Sequence, residues 1–283
     1  MTGSCKMREI EVQEIEVKSA LGKSGLRELD YSLNPYLGCL HSCIYCYAMD
    51  FTKIRPSADW GKYVVVKVNI LDILRSEVKR KRKGIVGVST ITDPYQPVEG
   101  RFKLTRESIA MLADNGFSVT IQTKSPLVMR DTDILEKHRN SIDVGFTITT
   151  TDNRKARMLE PETPSPASRV EAIRRLREKG IETWIFFGPI IRGFNDTTGD
   201  IRGMIEAAAE TGSRIIYDRY NLYPASAEKM KSMAVTRNLQ GDDRWWSSTV
   251  SEIRGIADKS GIICNSEEEE WQMNYRSRYG SFF

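Results

Sequence analysis

Short runs of β-branched and apolar residues alternate along the chain with longer segments that mix apolar and charged residues. The short runs predict strands, and they cover Tyr63–Val68, Ile85–Ile91, Ser118–Thr123, Ile142–Ile148, Ile181–Phe187 and Arg214–Tyr220. The longer segments predict helices at Leu71–Lys83, Thr105–Asn115, Asp131–Asn140, Arg169–Lys179, Thr198–Thr211 and Asp242–Lys259. The last three segments are followed by glycines, which we expect to end those helices, at Gly180, Gly212 and Gly261.

This alternation predicts an α/β fold. Strands separated by helices pair in parallel, because a parallel pair needs a crossover connection. Six or so βα units are too few for a closed eight-unit barrel, so we predict a partial (β/α)6 TIM-type barrel with short terminal extensions. We expect an N-terminal extension over residues 1–29, the barrel core over 30–225, and a C-terminal helical extension packed on the core over 226–283.

Polar segments follow five of the predicted strands. In parallel α/β folds the chemistry collects at the C-terminal ends of the strands. Five polar loops on that rim would form a single site, and they are Thr90–Gln96, Thr123–Ser125, Thr147–Asp152, Gly188–Asp196 and Asn221–Pro224.

Composition and charge narrow the class of protein only mildly. The formal charge of +4 permits contact with nucleic acid or an anionic cofactor but does not require it. A basic run at residues 79–83 ends a predicted helix, and nucleic-acid phosphates are one group that such a run binds. Cations also stabilise the C-terminal end of the helix dipole, so we favour a solvated helix end. No apolar run approaches the ~20 residues of a membrane span, and the N-terminal string MTGSCKMREIEVQEIEV has no apolar core of a signal peptide. We therefore expect a cytoplasmic protein with no membrane partner.

Three of the five cysteines lie close together. Cys39, Cys43 and Cys46 have the spacing C-x3-C-x2-C inside the string LNPYLGCLHSCIYCYAMD, residues 33–50. Thiolates hold iron–sulfur clusters, and three protein ligands leave one iron of a [4Fe–4S] cubane open to a small molecule. The alternative is a zinc site made of these cysteines and His41. Structural zinc sites usually pair two ligand couples from separate segments, and the sequence offers no second couple.

The cysteine motif, followed by an aromatic residue, resembles the signature of the radical S-adenosylmethionine (SAM) superfamily. The fuller string NPY-x-GC-x-H-x-C-x-YCY resembles the spore photoproduct lyase-like branch of that superfamily. Four further strings support the branch: TDPYQPVE (92–99), TKSPLVMRDTDIL (123–135), LEPETPSPASR (159–169) and PIIRGFND (189–196). The resemblance implies a partial barrel of the radical SAM type, a [4Fe–4S] cluster, SAM, and an electron donor such as flavodoxin or ferredoxin.

The resemblance also implies reductive cleavage of SAM, followed by abstraction of a hydrogen atom from a substrate. That substrate is a protein side chain or a small molecule, or, as in the lyase, a nucleic acid; a non-catalytic zinc-binding protein is the remaining alternative. In the lyase a cysteine passes a hydrogen atom to the product radical, in a region that matches Val88–Ile91. This chain has no cysteine there, and Cys264 is far along the chain. We therefore do not expect efficient repair of spore-type thymine dimers.

Three polar residues on the predicted rim are candidate SAM ligands. Lys124 belongs to a TK pair after a strand, and the resemblance implies that it binds the SAM carboxylate. Thr147 matches a small hydroxyl residue on the next strand and would donate to the same carboxylate. Thr149 continues the hydroxyl-rich stretch. For Lys124 the alternative is a surface lysine, and for Thr147 it is an ordinary β-branched strand residue.

Glu160 and Arg169 flank a Pro/Ser-rich loop. As functional residues they would hold the ribose hydroxyls and the carboxylate of SAM. As structural residues they would form a loop salt bridge, which stabilises little if it is exposed. Arg169 opens a predicted helix, for which Ser168 is the expected N-cap.

Tyr45 and Tyr47 flank the third cysteine of the motif, Cys46. In the lyase, tyrosines near the cluster help to return a hydrogen atom to deoxyadenosine, and the resemblance implies this role for Tyr47 above all. The alternative for both residues is packing against the cluster, because aromatic side chains commonly shield buried sites.

Overall fold

The computed structural model of the protein describes residues 10–52, 55–232, 239–270 and 272–273. Eleven strands lie within these residues: β1 (Glu11–Ile15), β2 (Leu21–Lys23), β3 (Tyr31–Leu33), β4 (Tyr36–Leu37), β5 (Tyr63–Lys67), β6 (Ile85–Val88), β7 (Ser118–Thr123), β8 (Ile142–Thr147), β9 (Glu182–Ile190), β10 (Arg214–Arg219) and β11 (Cys264–Ser266). The same residues contain ten α-helices: α1 (Ala48–Phe51), α2 (Ile70–Arg80), α3 (Glu99–Phe102), α4 (Leu104–Asp114), α5 (Thr132–Lys137), α6 (Asn153–Leu159), α7 (Pro166–Glu178), α8 (Thr198–Thr211), α9 (Pro224–Ser232) and α10 (Asp243–Ser260).

The central sheet has eight strands in the order β11-β10-β9-β8-β7-β6-β3-β2. Neighbours from β3 to β11 pair in parallel, and β2 runs antiparallel to β3. Helices α4, α7, α8 and α10 pack against one face of this sheet and share a continuous apolar core with it. The described strands do not close into a cylinder. This architecture confirms the predicted open, partial α/β barrel.

One predicted barrel strand lies outside the central sheet. The run Tyr63–Val68 does form a strand, β5, but β5 pairs with β1 and β4 in a separate three-stranded sheet. The place beside β6 belongs to β3, which is only three residues long and does not stand out in the hydrophobic pattern. The sequence placed this strand in the barrel because Tyr63–Val66 are apolar and buried, as the residues of a barrel strand are. That placement was wrong.

Helix ends agree with the sequence in most places. Gly180, Gly212 and Gly261 adopt φ values of 72°, 65° and 67°, the left-handed conformation expected after a helix. The expected N-cap of α7 was wrong: Ser165, not Ser168, caps the helix, and its Oγ accepts a hydrogen bond from the Ser168 amide at 3.2 Å. The reason is Pro166, whose fixed φ suits the first helical position.

Two segments outside the predicted barrel core extend its sheet. β2 belongs to the predicted N-terminal extension and β11 to the predicted C-terminal one, and each forms an edge of the eight-stranded sheet. The domain limits at residues 29/30 and 225/226 stay a prediction. Among the described residues, no helix is both long and apolar enough to cross a lipid bilayer.

Two lysines of the basic run at residues 79–83 contact neighbouring residues of the fold. Lys81 Nζ donates a hydrogen bond to the Leu21 carbonyl at 2.9 Å and lies 5.4 Å from the Tyr31 ring centroid. Lys83 Nζ lies 4.5 Å from the ring centroid of Phe117. These contacts support the interpretation of the run as a helix end.

Candidate active site

The loop that carries the cysteines lies between β4 and α1, and we call residues 38–47 the cysteine loop. Cys39 and Cys43 are buried, Cys46 is half-buried, and all three are free thiols. The loop begins at Gly38 with φ of +79°, where a Cβ atom would lie 2.7 Å from the carbonyl oxygen of Tyr63. Glycine at this position therefore lets the loop pack closely against β5.

Side chains and backbone from two other loops hold the cysteine loop. The Gln96 side chain accepts a hydrogen bond from the Leu40 amide at 3.0 Å and donates to the Gly38 carbonyl at 3.1 Å. On the other side, the Ile44 amide donates to the carbonyl of Leu159 at 2.9 Å. The loop after β6 and the last residue of α6 therefore fix the position of the three thiols.

The donor set fits an iron–sulfur cluster better than a single metal ion. No three His, Cys, Asp or Glu side chains of the described residues are placed to hold one ion. His41 contacts both the Cys39 thiol and the carboxylate of Asp93, whose Oδ2 lies 3.2 Å from Nδ1. A cubane binds each thiolate at a different iron, so Cys39, Cys43 and Cys46 need not meet at one point. The geometry therefore gives no support to the zinc alternative.

Lys124 faces the cysteine loop from the end of β7. Its ammonium group lies 5.7 Å from the ring centroid of Tyr45. Burial raises the pKa of the Cys43 thiol and raises that of Cys46 to about 12, whereas the Lys124 charge lowers both. The structure thus brings Lys124 to the thiols, as the sequence predicted for a residue on the rim.

Asp93 connects three parts of the rim, a role that the sequence did not reveal. Its Oδ1 accepts hydrogen bonds from the Tyr95 amide at 2.9 Å and the Thr123 hydroxyl at 2.7 Å, and Oδ2 accepts from the Lys124 amide at 2.8 Å. Burial opposes ionisation, but the charges of His41 and Lys124 hold the pKa of Asp93 well below its usual range. The available signal was its position in a polar loop directly after a strand.

Glu160 and Arg169 form a salt bridge of 2.6 Å, and both side chains are fully buried. Arg169 also donates to the Thr147 carbonyl at 2.9 Å and to the Thr163 hydroxyl at 2.6 Å. The Tyr45 hydroxyl donates to the carboxylate of Glu160. The structure therefore agrees with a salt bridge, but with a buried one that joins the cysteine loop to the ends of β8 and α6.

The two threonines have different surroundings. Thr147 is buried, and its Oγ1 accepts a hydrogen bond from the Gln122 side chain at 3.0 Å. The Thr149 hydroxyl lies 3.5 Å from Glu160 Oε1, and its carbonyl accepts from Asn195 Nδ2 at 2.7 Å. Thr149 is thus part of the network around Glu160, whereas Thr147 lies beside it.

The two tyrosines of the cysteine loop point in opposite directions. Tyr45 is buried against Glu160, but Tyr47 is 38% exposed and donates a hydrogen bond to the carbonyl of Thr90. The Tyr47 ring centroid lies 5.8 Å from that of Phe51 and 5.9 Å from that of Tyr223. Tyr45 is therefore a buried packing residue. Tyr47 belongs to a group of solvent-exposed aromatic residues that the sequence did not predict.

Comparison with known proteins agrees with this geometry. The sequence profile of the Radical SAM superfamily matches residues 33–208, which is more than half of the chain. An uncharacterized protein of Methanocaldococcus jannaschii is 36% identical over 183 residues, covering 65% of this chain and 69% of that protein.

Two solved structures share the fold. Spore photoproduct lyase complexed with dinucleoside spore photoproduct has a TM-score of 0.69 at 15% identity, covering 90% of this chain and 81% of that one. Streptococcus suis SuiB bound to precursor peptide SuiA has a TM-score of 0.58 at 14% identity, covering 87% of this chain and 50% of that one. Because the family profile covers the cysteine loop and most of the sheet, the protein belongs to the radical SAM superfamily and is an enzyme of that class.

Proposed function

We propose that the protein reductively cleaves SAM at a [4Fe–4S] cluster held by Cys39, Cys43 and Cys46, and abstracts a hydrogen atom from a substrate. The observation that carries the proposal is the set of three free thiols in one loop, facing Lys124 at the C-terminal rim of a parallel sheet. When bound, the cluster supplies the electron that splits SAM into methionine and a 5′-deoxyadenosyl radical.

Lys124 and Thr147 are the side chains that we assign to the SAM carboxylate. Burial lowers the pKa of the Lys124 ammonium, but the negative groups around it, among them the Glu160 and Asp93 carboxylates, raise that pKa above its usual value. Lys124 therefore stays cationic and pairs with a carboxylate. The Thr147 hydroxyl accepts from Gln122 and has its own proton to donate.

In this proposal three residues have a positioning role and do not touch SAM themselves: Glu160, Arg169 and Thr149. The carboxylate and the guanidinium bind each other in the interior, and Thr149 is hydrogen-bonded to the carboxylate. Through the Tyr45 hydroxyl they orient the cysteine loop and exclude water from its inner side. Their part in binding SAM is therefore to hold the residues that bind it.

Tyr47 is the residue of the cysteine loop that we assign to hydrogen-atom return. Its hydroxyl lies at the rim, bonded to the Thr90 carbonyl, and its ring is open to the mouth of the barrel. A substrate in that mouth would meet Tyr47 before Tyr45, which is buried. The electron donor is expected to be a flavodoxin or a ferredoxin.

For the substrate, we favour a protein side chain or a small molecule over a DNA lesion. The fold itself does not choose, since the lyase is bound to a dinucleoside and SuiB to a precursor peptide. Residues 88–91 contain no thiol that could give a hydrogen atom to a thymine radical. With spore photoproduct dinucleotide, SAM and dithionite, we expect no clean multiple-turnover repair, and clean repair would favour the nucleic-acid alternative.

The experiment that tests the proposal is anaerobic incubation of the reconstituted protein with SAM and dithionite. We expect 5′-deoxyadenosine and methionine in equal amounts. The matched variant Cys264→Ala should give the same yield, because Cys264 begins β11 and so lies at the end of that strand opposite the rim. Fully reconstituted protein that leaves SAM intact would contradict the proposal.

A further inference from the structure

An exposed aromatic surface lies beside the cysteine loop at the mouth of the barrel, and we call Tyr47, Phe51 and Tyr223 the aromatic platform. Neighbouring ring centroids of the platform are 5.8–5.9 Å apart. Phe51 is 59% exposed, and Leu222, next to Tyr223 in the chain, is 52% exposed. Exposed aromatic faces bind flat groups by stacking and cations through their π-systems.

Two strand ends bring carboxylates to the same mouth. β10 and β11 are in register at Tyr217 and Ser266, so the next residues, Asp218 and Glu267, lie side by side. When one of the two carboxyl groups is protonated it donates a hydrogen bond to the other, and Asn221 Nδ2 donates to Asp218 Oδ2 at 2.8 Å. Tyr217 and Arg219 both pack outward on α10, so Asp218 between them lies on the inner face of the sheet.

A third carboxylate joins this pair from the loop before β3. Glu28 acts electrostatically on Glu267, and both act on the hydroxyl of Tyr47. Although part of Glu267 is open to solvent, desolvation raises the pKa of its carboxyl to about 7, and the charges of Asp218 and Glu28 add to that effect. The wall around the aromatic platform is therefore lined by acidic groups whose ionised forms a nearby cation would favour.

Charge thus divides the site into two sides. Lys124 acts on the thiols of Cys43 and Cys46, on the side where the SAM carboxylate is expected. The acidic residues lie across the mouth, on the β10 and β11 side. A substrate with a positive group would relieve the repulsion among the carboxylates and lie on the aromatic faces.

We propose, on the basis of the proposed function, that the substrate presents a lysine or arginine side chain of a polypeptide to the aromatic platform and the carboxylates of Asp218, Glu267 and Glu28. A polypeptide fits better than a small amine, because the exposed rings of the platform continue into Leu222 and leave apolar surface beyond the reach of a single cationic group. A nucleic acid fits worse, because its phosphates would lie against three carboxylates.

The test is equilibrium binding of trilysine to the anaerobically reconstituted protein, with triglutamate and a thymidine dinucleotide as comparison ligands. Trilysine should bind most tightly. The double variant Asp218→Asn/Glu267→Gln should weaken trilysine binding by about tenfold, because it removes charge-assisted contacts. Phe51→Ala, a change at an exposed position, should weaken it by about threefold, the size of an exposed cation–π contact.

Glu268→Gln is the matched control, since Glu268 is an exposed acid next to Glu267, and its trilysine binding should equal that of the wild type. Equal binding by the wild type and the double variant, or tighter binding of triglutamate or the dinucleotide, would overturn the proposal. Tighter binding of free spermidine than of trilysine would contradict the proposal that the cationic group belongs to a polypeptide. Iron content and SAM cleavage of the same samples report on the proposed function separately, because the binding measurement requires no turnover.

Discussion

The two sides of the barrel mouth are built in opposite ways. On the cysteine side, the charged residues are buried and bonded to one another, as Glu160 and Arg169 show. On the platform side, aromatic rings are open to solvent, and the acidic residues Asp218 and Glu267 lie next to each other at the ends of β10 and β11. Removing a group from the first side leaves partners unsatisfied in the interior, whereas removing one from the second mainly changes what can bind. The comparison teaches that buried contacts fix the cysteine side, whereas the platform side is the part that we propose selects the substrate.

Loss of a cysteine should have the largest effect. Cys39→Ala, Cys43→Ala or Cys46→Ala should reduce the iron content from about four per chain, the value for a cubane, to a small residue, and SAM cleavage should disappear. Iron and sulfide assays after reconstitution check this, with Cys5→Ala and Cys264→Ala expected to keep the cluster. Full iron content in any of the three variants would contradict the assignment of that cysteine as a cluster ligand.

The buried salt bridge should matter next. Arg169→Leu leaves the Glu160 carboxylate in the interior without its cation, so we expect a loss of about 3–5 kcal/mol in the free energy of unfolding. Urea denaturation measures this difference. Arg174→Leu, at a half-exposed position of the same helix, should leave the free energy of unfolding nearly unchanged, because solvent-exposed salt bridges stabilise little. Similar losses for the two variants would remove the contrast between buried and exposed charges.

Lys124→Ala should weaken SAM binding by about 1.5–3 kcal/mol, the value of a hydrogen bond to a charged group, and should spare the cluster. Equilibrium binding of SAM to the reconstituted protein gives the result, with Lys103→Ala as a control on an exposed lysine. Unchanged affinity for SAM would show that Lys124 does not bind SAM and would favour the alternative of a surface lysine.

The smallest effects should separate the two tyrosines. Tyr45→Phe removes a buried donor to Glu160 and should lower the free energy of unfolding by about 1–3 kcal/mol. Tyr47→Phe alters a half-open position and should change it by less than about 0.5 kcal/mol. Equal losses in urea denaturation would show that Tyr47 is as structural as Tyr45.

The sequence predicted much of the cysteine side and little of the platform side. The thiol spacing and the rim position of Lys124 follow from local patterns, because a chelating loop and a strand end are local features. The contact of Glu160 with Tyr45 joins residues that are 115 positions apart, so it depends on the folded barrel.

The same reason explains the misplaced strand and the missed platform. The apolar composition of β5 reflects its burial. Burial is the same in either sheet, so composition does not reveal to which sheet the strand belongs. Phe51 and Tyr223 meet because α1 packs on α9, and Asp218 meets Glu267 because β11, a short polar strand, joins the sheet. Neither contact has a periodic signal in the sequence.

The most direct test of the central claim is the electron paramagnetic resonance spectrum of the dithionite-reduced protein, recorded before and after addition of SAM. A cluster with three cysteine ligands has one iron that can accept SAM, so we predict a [4Fe–4S] signal that changes when SAM is added and is absent from Cys43→Ala. A reduced-cluster signal that SAM leaves unchanged, or a spectrum without any iron–sulfur signal after reconstitution, would contradict the account.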